Sequence, residues 1–328
     1  MPADHPALQR GWFESGSRFA VGCAEMIGRR PTMEDAFSID GKYLGEDGCY
    51  FLGVYDGHAG RLAATYSAIH HPAVLADLLK KEDGTHDLSP ETMQTQLRQS
   101  FYDVNERFEE HLSTAGGPRH CGTTAVLVLI NGNNCWVSNV GDSRAVIASA
   151  KGFERVSLDH KPYDEDEQSR IRALNGFVMG ETARVNGLLA VSRSIGDFYM
   201  HPWVTCEPFI NNLPLAEDSH TIIIACDGVW DEISDQHACS IVDKDADPFL
   251  ASCRLRDYAF LIGSDDNISV IVVRLKQVGA TRHAGLHASV VQADQTQQAP
   301  EEQQDAAAGQ EAGQEEQQDA TAEEEAAA

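Results

Sequence analysis

Apolar runs alternate along the chain with short polar breaks. Eight of them predict strands: residues 19–25, 49–55, 123–130, 134–140, 144–149, 187–192, 221–226 and 268–275. Several are apolar without interruption, as in Ile222-Ile223-Ile224-Ala225-Cys226, the pattern of a strand covered on both faces. A different period runs from about residue 90 to 112. There Met93, Leu97, Phe101, Val104, Phe108 and Leu112 recur every three or four positions, which predicts one long amphipathic helix. Ser89 can cap it and Pro90 suits its first turn. Shorter helices fit residues 59–69, 163–174, 235–242 and 247–261. Gly141-Asp142-Ser143 predicts a hairpin between the runs on either side, and Asn186-Gly187 is a type I′ turn pair. Strands mostly follow strands without an intervening helix. The pattern therefore predicts an α+β fold of antiparallel sheets with helices packed outside, not a doubly wound parallel sheet.

Composition divides this pattern into three parts. Residues 281–328 are rich in Gln, Glu and Ala and nearly devoid of large apolar side chains after Val291. Such a segment cannot bury enough surface to offset its chain entropy, so an acidic disordered tail is expected. Residues 1–12 read as a loose lead-in, which leaves 13–280 as the folded domain. The formal charge is −26, of which the tail contributes −10. A chain this acidic disfavours nucleic acid and anionic membranes as partners. No apolar run approaches the roughly 18–20 residues that span a bilayer. The first residues lack a signal pattern, and Pro2 stands where myristoylation needs glycine. The eight cysteines include no Cys-x-x-Cys pair and read as small buried hydrophobes of a reducing compartment. A monomer of the cytoplasm or nucleus is the expectation.

The candidate chemistry lies where apolar runs stop on acids. One run ends at Asp56-Gly57-His58 and another at Asp227-Gly228-Val229-Trp230-Asp231. Met33-Glu34-Asp35 follows Arg29-Arg30, and Asp265-Asp266-Asn267 precedes the final run. A single Asp-Gly is an ordinary turn. If the last strand runs antiparallel to the other two, however, Asp56, Asp227 and Asp266 gather at one edge of a sheet. Two carboxylates about 4 Å apart repel by about 4 kcal/mol at an effective dielectric near 20. Several together call for a counter-cation. Mg²⁺ or Mn²⁺, hard ions that take carboxylate, carbonyl and water oxygens, suit such a set.

These stretches resemble the metal-dependent Ser/Thr protein phosphatases of the PPM, or type 2C, family. The resemblance rests on Arg30-Pro-Thr-Met-Glu-Asp35, Val54-Tyr-Asp-Gly-His-Ala-Gly60, Cys121-Gly-Thr-Thr-Ala125, Asn139-Val-Gly-Asp-Ser-Arg144, Asp159-His-Lys-Pro162, residues 184–193, Gly196-Asp197, Ala225-Cys-Asp-Gly-Val-Trp-Asp231 and Asp266-Asn-Ile-Ser-Val270, all in family order. It implies a four-layer αββα sandwich of two antiparallel β-sheets flanked by helices, with a metal centre at one end. It implies phosphorylated proteins as substrates, hydrolysed by in-line attack of a hydroxide bridging two divalent metals, without a phosphoenzyme. By resemblance, Asp56 bridges both ions, Glu34 and the Gly57 carbonyl serve one, and Asp227 and Asp266 serve the other. Asp142 and Asp231 hold a third, weaker ion. Arg30 binds the phosphate as a bidentate fork, and His58 protonates the departing oxygen. Residues 175–205 resemble the family's flap, where Phe177-Val-Met-Gly-Glu181 shapes substrate choice. His160 reads as a turn or packing residue.

Two rival readings carry different signatures. Cys23 through Arg29 fits a bare Cys-x₅-Arg pattern, the loop of cysteine-based phosphatases. Such a loop needs wrapped backbone NH groups and a depressed thiol pKa, whereas this one has a single glycine between and reads as strand packing. A non-catalytic relative would be expected to lack a metal carboxylate or the arginine, and Arg30, Glu34, Asp56, Asp227 and Asp266 are all present.

Overall fold

Strand pairing sorts the apolar runs into two five-stranded antiparallel sheets. The computed structural model describes residues 19–180 and 183–275. The lead-in and tail segments, and Glu181 of the flap stretch, lie outside the described residues. The ten strands are β1 (Phe19–Met26), β2 (Ala36–Asp40), β3 (Cys49–Tyr55), β4 (Ala125–Asn131), β5 (Asn134–Val140), β6 (Arg144–Ser149), β7 (Gly152–Arg155), β8 (Phe209–Pro214), β9 (Ser219–Ala225) and β10 (Ile268–Leu275). One sheet runs β1-β10-β9-β6-β7 and the other β8-β5-β4-β3-β2.

The period-two side-chain alternation of each strand assigns its two faces to two different cores. From β3, Tyr50, Leu52 and Val54 point into a core shared with Ile222 and Ile224 of β9 and Ile271 and Val273 of β10. That core lies between the sheets. The alternate residues Cys49, Phe51 and Tyr55 face helices α1 (Leu62–Leu79) and α2 (Pro90–Ala115), and the helix predicted at 163–174 follows later in the chain as α3 (Glu165–Ala173). On the other side, Ile223, Ala225, Val270 and Val272 pack under α4 (Asp227–Trp230), α5 (Asp235–Val242) and α6 (Pro248–Ile262). These layers are helix, sheet, sheet, helix. Covering both faces explains the unbroken apolar runs, since each fully buried Val, Leu, Ile or Phe contributes about 1.5–3 kcal/mol.

The long helix predicted near residues 90–112 is present, and its six periodic apolar residues are all buried. The helix predicted at 59–69 continues through Pro72 to Leu79. Proline lacks the N–H that would bond the Ala68 carbonyl four residues back. The Ser38 hydroxyl donates to that carbonyl instead, at 2.5 Å, so the helix survives the break.

Three expectations are corrected. Gly141-Asp142-Ser143 is not a hairpin: β5 and β6 lie in different sheets, and the turn carries the chain across the sandwich. Both strands are buried on two faces, so nothing local in their pattern separates pairing from crossing. Residues 187–192 form no strand. Asn186 and Gly187 do adopt positive φ angles, 49° and 76°, and Leu188 N–H donates to Val185 O as in a tight turn, but only one bridge, Val185 to Leu189, follows. The run 123–130 is broken at Thr124, which divides a two-residue strand, Gly122–Thr123, from β4. Gly122–Thr123 belongs to a small sheet between Ile195–Gly196 and Gly57–His58. Strands β2, β7 and β8 were not anticipated, being short, polar or half exposed.

Candidate metal centre

Three local arrangements bring the acids to one end of the sandwich. In the first, Asp56 leaves β3 and is clamped by the residues at the break in the neighbouring run. Thr124 N–H and the Thr123 hydroxyl donate to the Asp56 carbonyl at 2.9 and 3.0 Å, and Asp56 N–H donates to Thr124 Oγ1 at 3.2 Å. The second is the antiparallel pairing of β9 with β10, where Ala225 faces Val270. It sets Asp227, just past the end of one strand, beside Asp266, just before the start of the other. The chains approach so closely that a Cβ on Gly228 would lie 2.0 Å from the Asn267 carbonyl oxygen. The third is a staple. Asn267 Nδ2 donates to the carbonyls of Ile27 and Thr32 at 2.9 and 3.0 Å, while its Oδ1 accepts from Glu34 N–H at 2.8 Å. This ties the Arg29–Asp35 stretch to the start of β10. The acids therefore do not share one sheet edge, as the strand pattern alone suggested. Asp56 comes from one sheet, Asp227 and Asp266 from the other.

Their charges interact strongly. Burial, then Asp227, Asp35, Asp142 and Asp266, push the Asp56 carboxyl well above the usual range. Burial also raises Asp227, followed by Asp142, Asp231 and Asp266, against the opposing pull of Lys161. Asp35 is 1% exposed and is raised to about 7, chiefly by burial. Ser269 and Cys226 approach it and oppose that rise, yet neither completes a hydrogen bond to its oxygens. Both oxygens of Asp35 and Oδ1 of Asp227 are buried without a hydrogen-bond partner. Ligand atoms of Asp35, Asp56 and Cys226 lie within 4.8 Å of one another. Buried, unpaired, mutually repelling carboxylate oxygens fit a divalent cation. The Cys226 thiol is pushed well above its ordinary value by burial and then by Asp35, Asp56 and Asp227, which keeps it protonated. It donates to the Asn267 carbonyl at 3.4 Å and accepts from Ser269 N–H at 3.2 Å. The donors available are thus hard oxygens, suited to Mg²⁺ or Mn²⁺.

The remaining candidates surround this group. The Glu34 carboxylate accepts from Thr32 Oγ1 at 2.9 Å and from Gly60 N–H at 3.0 Å, and Gly57 lies against the Glu34 carbonyl. Arg30 is half exposed at the rim, with Nη2 on Asp266 Oδ2 at 2.6 Å and Nε on the Asp265 carbonyl at 3.3 Å. Arg29 instead donates to the Ser264 and Phe260 carbonyls and stacks over the Phe260 ring. Asp142 and Asp231 are brought together by Lys161, whose Nζ lies 2.5 Å from Asp142 Oδ2 and 3.6 Å from Asp231 Oδ1. His58 Nε2 lies 2.7 Å from Asp197 Oδ2. His160 is buried and packed, with a pKa lowered to about 3 by burial and by Arg193. Four residues of the site carried no assignment from the sequence: Asp35, Lys161, Asp197 and Asn267. Each sits inside one of the motifs, but only the fold shows what it faces. The rival cysteine-phosphatase reading fails here and Cys23 packs in its strand as expected, because this thiol is buried in β1 and pushed up to about 12 by burial, then by Glu25 and Cys253.

An αββα sandwich with a cluster of acids at one end defines a metal-dependent phosphatase architecture. The family profile described as "Protein phosphatase 2C" matches residues 19–268. "Probable protein phosphatase 2C 56" of Oryza sativa subsp. japonica is 35% identical over 283 residues, covering 82% of this chain and 76% of the rice protein. "Protein phosphatase 2C 56" of Arabidopsis thaliana is 35% identical over 313 residues, covering 81% of this chain and 70% of its own length. Among solved structures, a Caenorhabditis elegans sex determining protein ("C.elegans") superposes with a TM-score of 0.71 at 28% identity, over 80% of this chain and 66% of that one. A serine-threonine phosphatase 2C from Toxoplasma gondii has a TM-score of 0.70 at 20% identity, over 82% of this chain and 98% of its own, and shares the fold. The chain belongs to the protein phosphatase 2C family. It is accordingly a metal-dependent protein Ser/Thr phosphatase, and phosphoproteins are its substrates.

Proposed function

We propose that the acidic end of the sandwich hydrolyses phosphoserine and phosphothreonine on proteins with two Mg²⁺ or Mn²⁺ ions. The observation that carries this reading is the burial of unpartnered carboxylate oxygens on Asp35 and Asp227 beside Asp56, with Asp56 and Asp227 held well above the ordinary carboxyl range by burial first and by neighbouring acids second. When bound, divalent ions there would supply Lewis-acid polarisation of the phosphoryl group and activation of water near neutral pH, suited to in-line displacement without a phosphoenzyme. Asp56 would bridge the two ions, with Glu34 and the Gly57 carbonyl on one side and Asp227 and Asp266 on the other. Asp142 and Asp231 would hold a third, weaker ion, in competition with the Lys161 ammonium already between them.

The chain's own side chains do the rest. Arg30 stands at the rim with a guanidinium able to fork onto phosphate oxygens. As the P–O bond breaks, its electron pair passes to the serine or threonine oxygen. His58 gives that oxygen a proton and recovers one from solvent after the alcohol departs. We place the enzyme in the cytosol or nucleus and read it as a monomer. The eight free cysteines, seven of them buried, suit a reducing compartment.

The test pairs phosphopeptide hydrolysis with calorimetry. Wild-type protein should release phosphate with Mn²⁺ or Mg²⁺ and lose activity in EDTA. Asp56→Ala should abolish turnover and weaken ion uptake. A wild-type rate in Asp56→Ala would overturn the metal assignment, and no phosphate release at any metal concentration would favour a non-catalytic binding module.

A further inference from the structure

The small sheet beside the acidic cluster holds a pair of side chains that the metal chemistry does not use. His58, Gly122 and Gly196 lie side by side on its three strands, His58 opposite Gly122 and Gly122 opposite Gly196. Asp197 follows directly and is 0% exposed. Its Oδ2 accepts from the Ser194 hydroxyl at 2.6 Å and lies 2.7 Å from His58 Nε2. Its Oδ1 is buried without a hydrogen-bond partner. The Oδ2 contacts are therefore what compensates this carboxylate for lost water. With Nε2–H as donor, Asp197 Oδ2 accepts from both the ring and the Ser194 hydroxyl.

Gly122 shows that the pair is built into the backbone. A Cβ at that position would lie 2.1 Å from Asp197 Oδ2 and 2.6 Å from His58 Nε2. Any side chain there would push the two apart. Asp197 itself sits in the left-handed region, with φ 48° and ψ 37°, a conformation that Asp and Asn tolerate better than other side chains. Its N–H is held by the Cys121 carbonyl at 3.0 Å. Ring, carboxylate and hydroxyl thus form an ordered row from Ser194 to His58, ending beside the Asp56-Gly57 corner.

We propose that Asp197 is a positioning residue for His58: its carboxylate holds Nε2 and turns Nδ1 toward the departing oxygen of the phosphorylated residue. Nδ1 makes no hydrogen bond among the described residues, and the His58 side chain is 28% exposed. The proposal rests on the reading of His58 as the proton donor in "Proposed function". A locked ring meets the leaving oxygen without first losing rotational freedom. Asp197 is fully buried and is none of the residues assigned above to phosphate or ion, so its loss should appear only where the leaving group needs a proton.

Steady-state kinetics on two substrates test this at saturating Mn²⁺. A phosphoserine peptide expels an alkoxide and needs the proton; p-nitrophenyl phosphate expels a stabilised phenolate and does not. Asp197→Gly, which tolerates the left-handed backbone and removes the acceptor, should lower kcat on the peptide about 100-fold with KM little changed. The same variant should retain p-nitrophenyl phosphate turnover within a few-fold, and its Mn²⁺ uptake by calorimetry should match wild type. Gly122→Ala, which touches neither partner's identity, should show the same selectivity and decides the matter if Asp197→Gly does not fold. His58→Ala is the reference. If His58→Ala slows only the peptide while Asp197→Gly and Gly122→Ala slow both substrates equally or neither, the positioning role is overturned. If His58→Ala itself slows both substrates equally, the proton-donor reading falls, and the Asp197 proposal with it.

Discussion

Replacing Asp35 with Asn should stabilise the protein when divalent ions are withheld, and do so only above a certain pH. Asp35 is fully buried, its oxygens lack completed hydrogen bonds, and its carboxyl is raised from 3.8 to about 7, mainly by burial. In the folded protein it therefore keeps its proton to higher pH than in the unfolded chain. As pH rises past 3.8 the unfolded state releases that proton first, and stability falls until the folded group ionises near 7. One pH step costs about 1.4 kcal/mol, so ionising Asp35 costs about 4 kcal/mol by pH 8. Asn cannot ionise, but its amide, short of partners, gives back about 1–3 kcal/mol. The net gain expected for Asp35→Asn at pH 8 in EDTA is about 1–3 kcal/mol. At about 2–4 °C per kcal/mol, Tm should rise by a few to about 10 °C. At pH 4.5 the gain should vanish or reverse. Saturating Mn²⁺ should shrink the gain at pH 8. Ligand at 100 times its Kd stabilises wild type by about 2.7 kcal/mol, and the variant gains less. Scanning calorimetry at pH 4.5 and 8, with EDTA and with Mn²⁺, reads all four states. A Tm difference independent of pH would refute the argument, because burial of an ionisable group would then not be its cause.

Three other outcomes follow from the site. Arg30→Ala should raise KM for a phosphopeptide about tenfold at saturating metal, the loss of about 1.4 kcal/mol of phosphate contact, with a smaller change in kcat; initial-rate kinetics measure the split. Gly228→Ala forces a methyl within 2.0 Å of the Asn267 carbonyl and should lower stability by about 1–3 kcal/mol in urea unfolding while weakening Mn²⁺ uptake in calorimetry. Cys23→Ser should leave phosphopeptide hydrolysis unchanged while EDTA still abolishes it, since the buried thiol at about 12 supplies no nucleophile; loss of activity in that variant, with its fold intact by circular dichroism, would revive the cysteine mechanism.

Strand and helix identity was largely legible along the chain because both depend on local periodicity. Runs 49–55, 134–140, 144–149 and 268–275 appear as β3, β5, β6 and β10 with the same bounds, and the 235–242 helix is α5. Partnering was not legible. The Gly141-Asp142-Ser143 turn has the chemistry of a hairpin and instead crosses between sheets. Nothing in β5 or β6 distinguishes the two, since each is apolar on both faces. In the helix through Pro72, a hydroxyl contributed by Ser38, distant in sequence, takes the carbonyl that proline leaves free, and no local pattern announces that partner.

The sequence alone determined which residue types stand at the ends of apolar runs, and hence that Glu34, Asp56, Asp227 and Asp266 need a counter-charge wherever they meet. It did so because a carboxylate directly beside a buried strand is costly in any fold. Only the tertiary structure decided how they meet: two sheets stacked so that Asp56 from one reaches Asp227 and Asp266 from the other, with Asn267 holding the Glu34 loop against them. It also decided that Asp35 and Asp197 are buried, and that Lys161 lies between Asp142 and Asp231. These depend on contacts between segments far apart along the chain, and local pattern carries no record of which distant carboxylate, amide or ammonium will lie within a few ångströms.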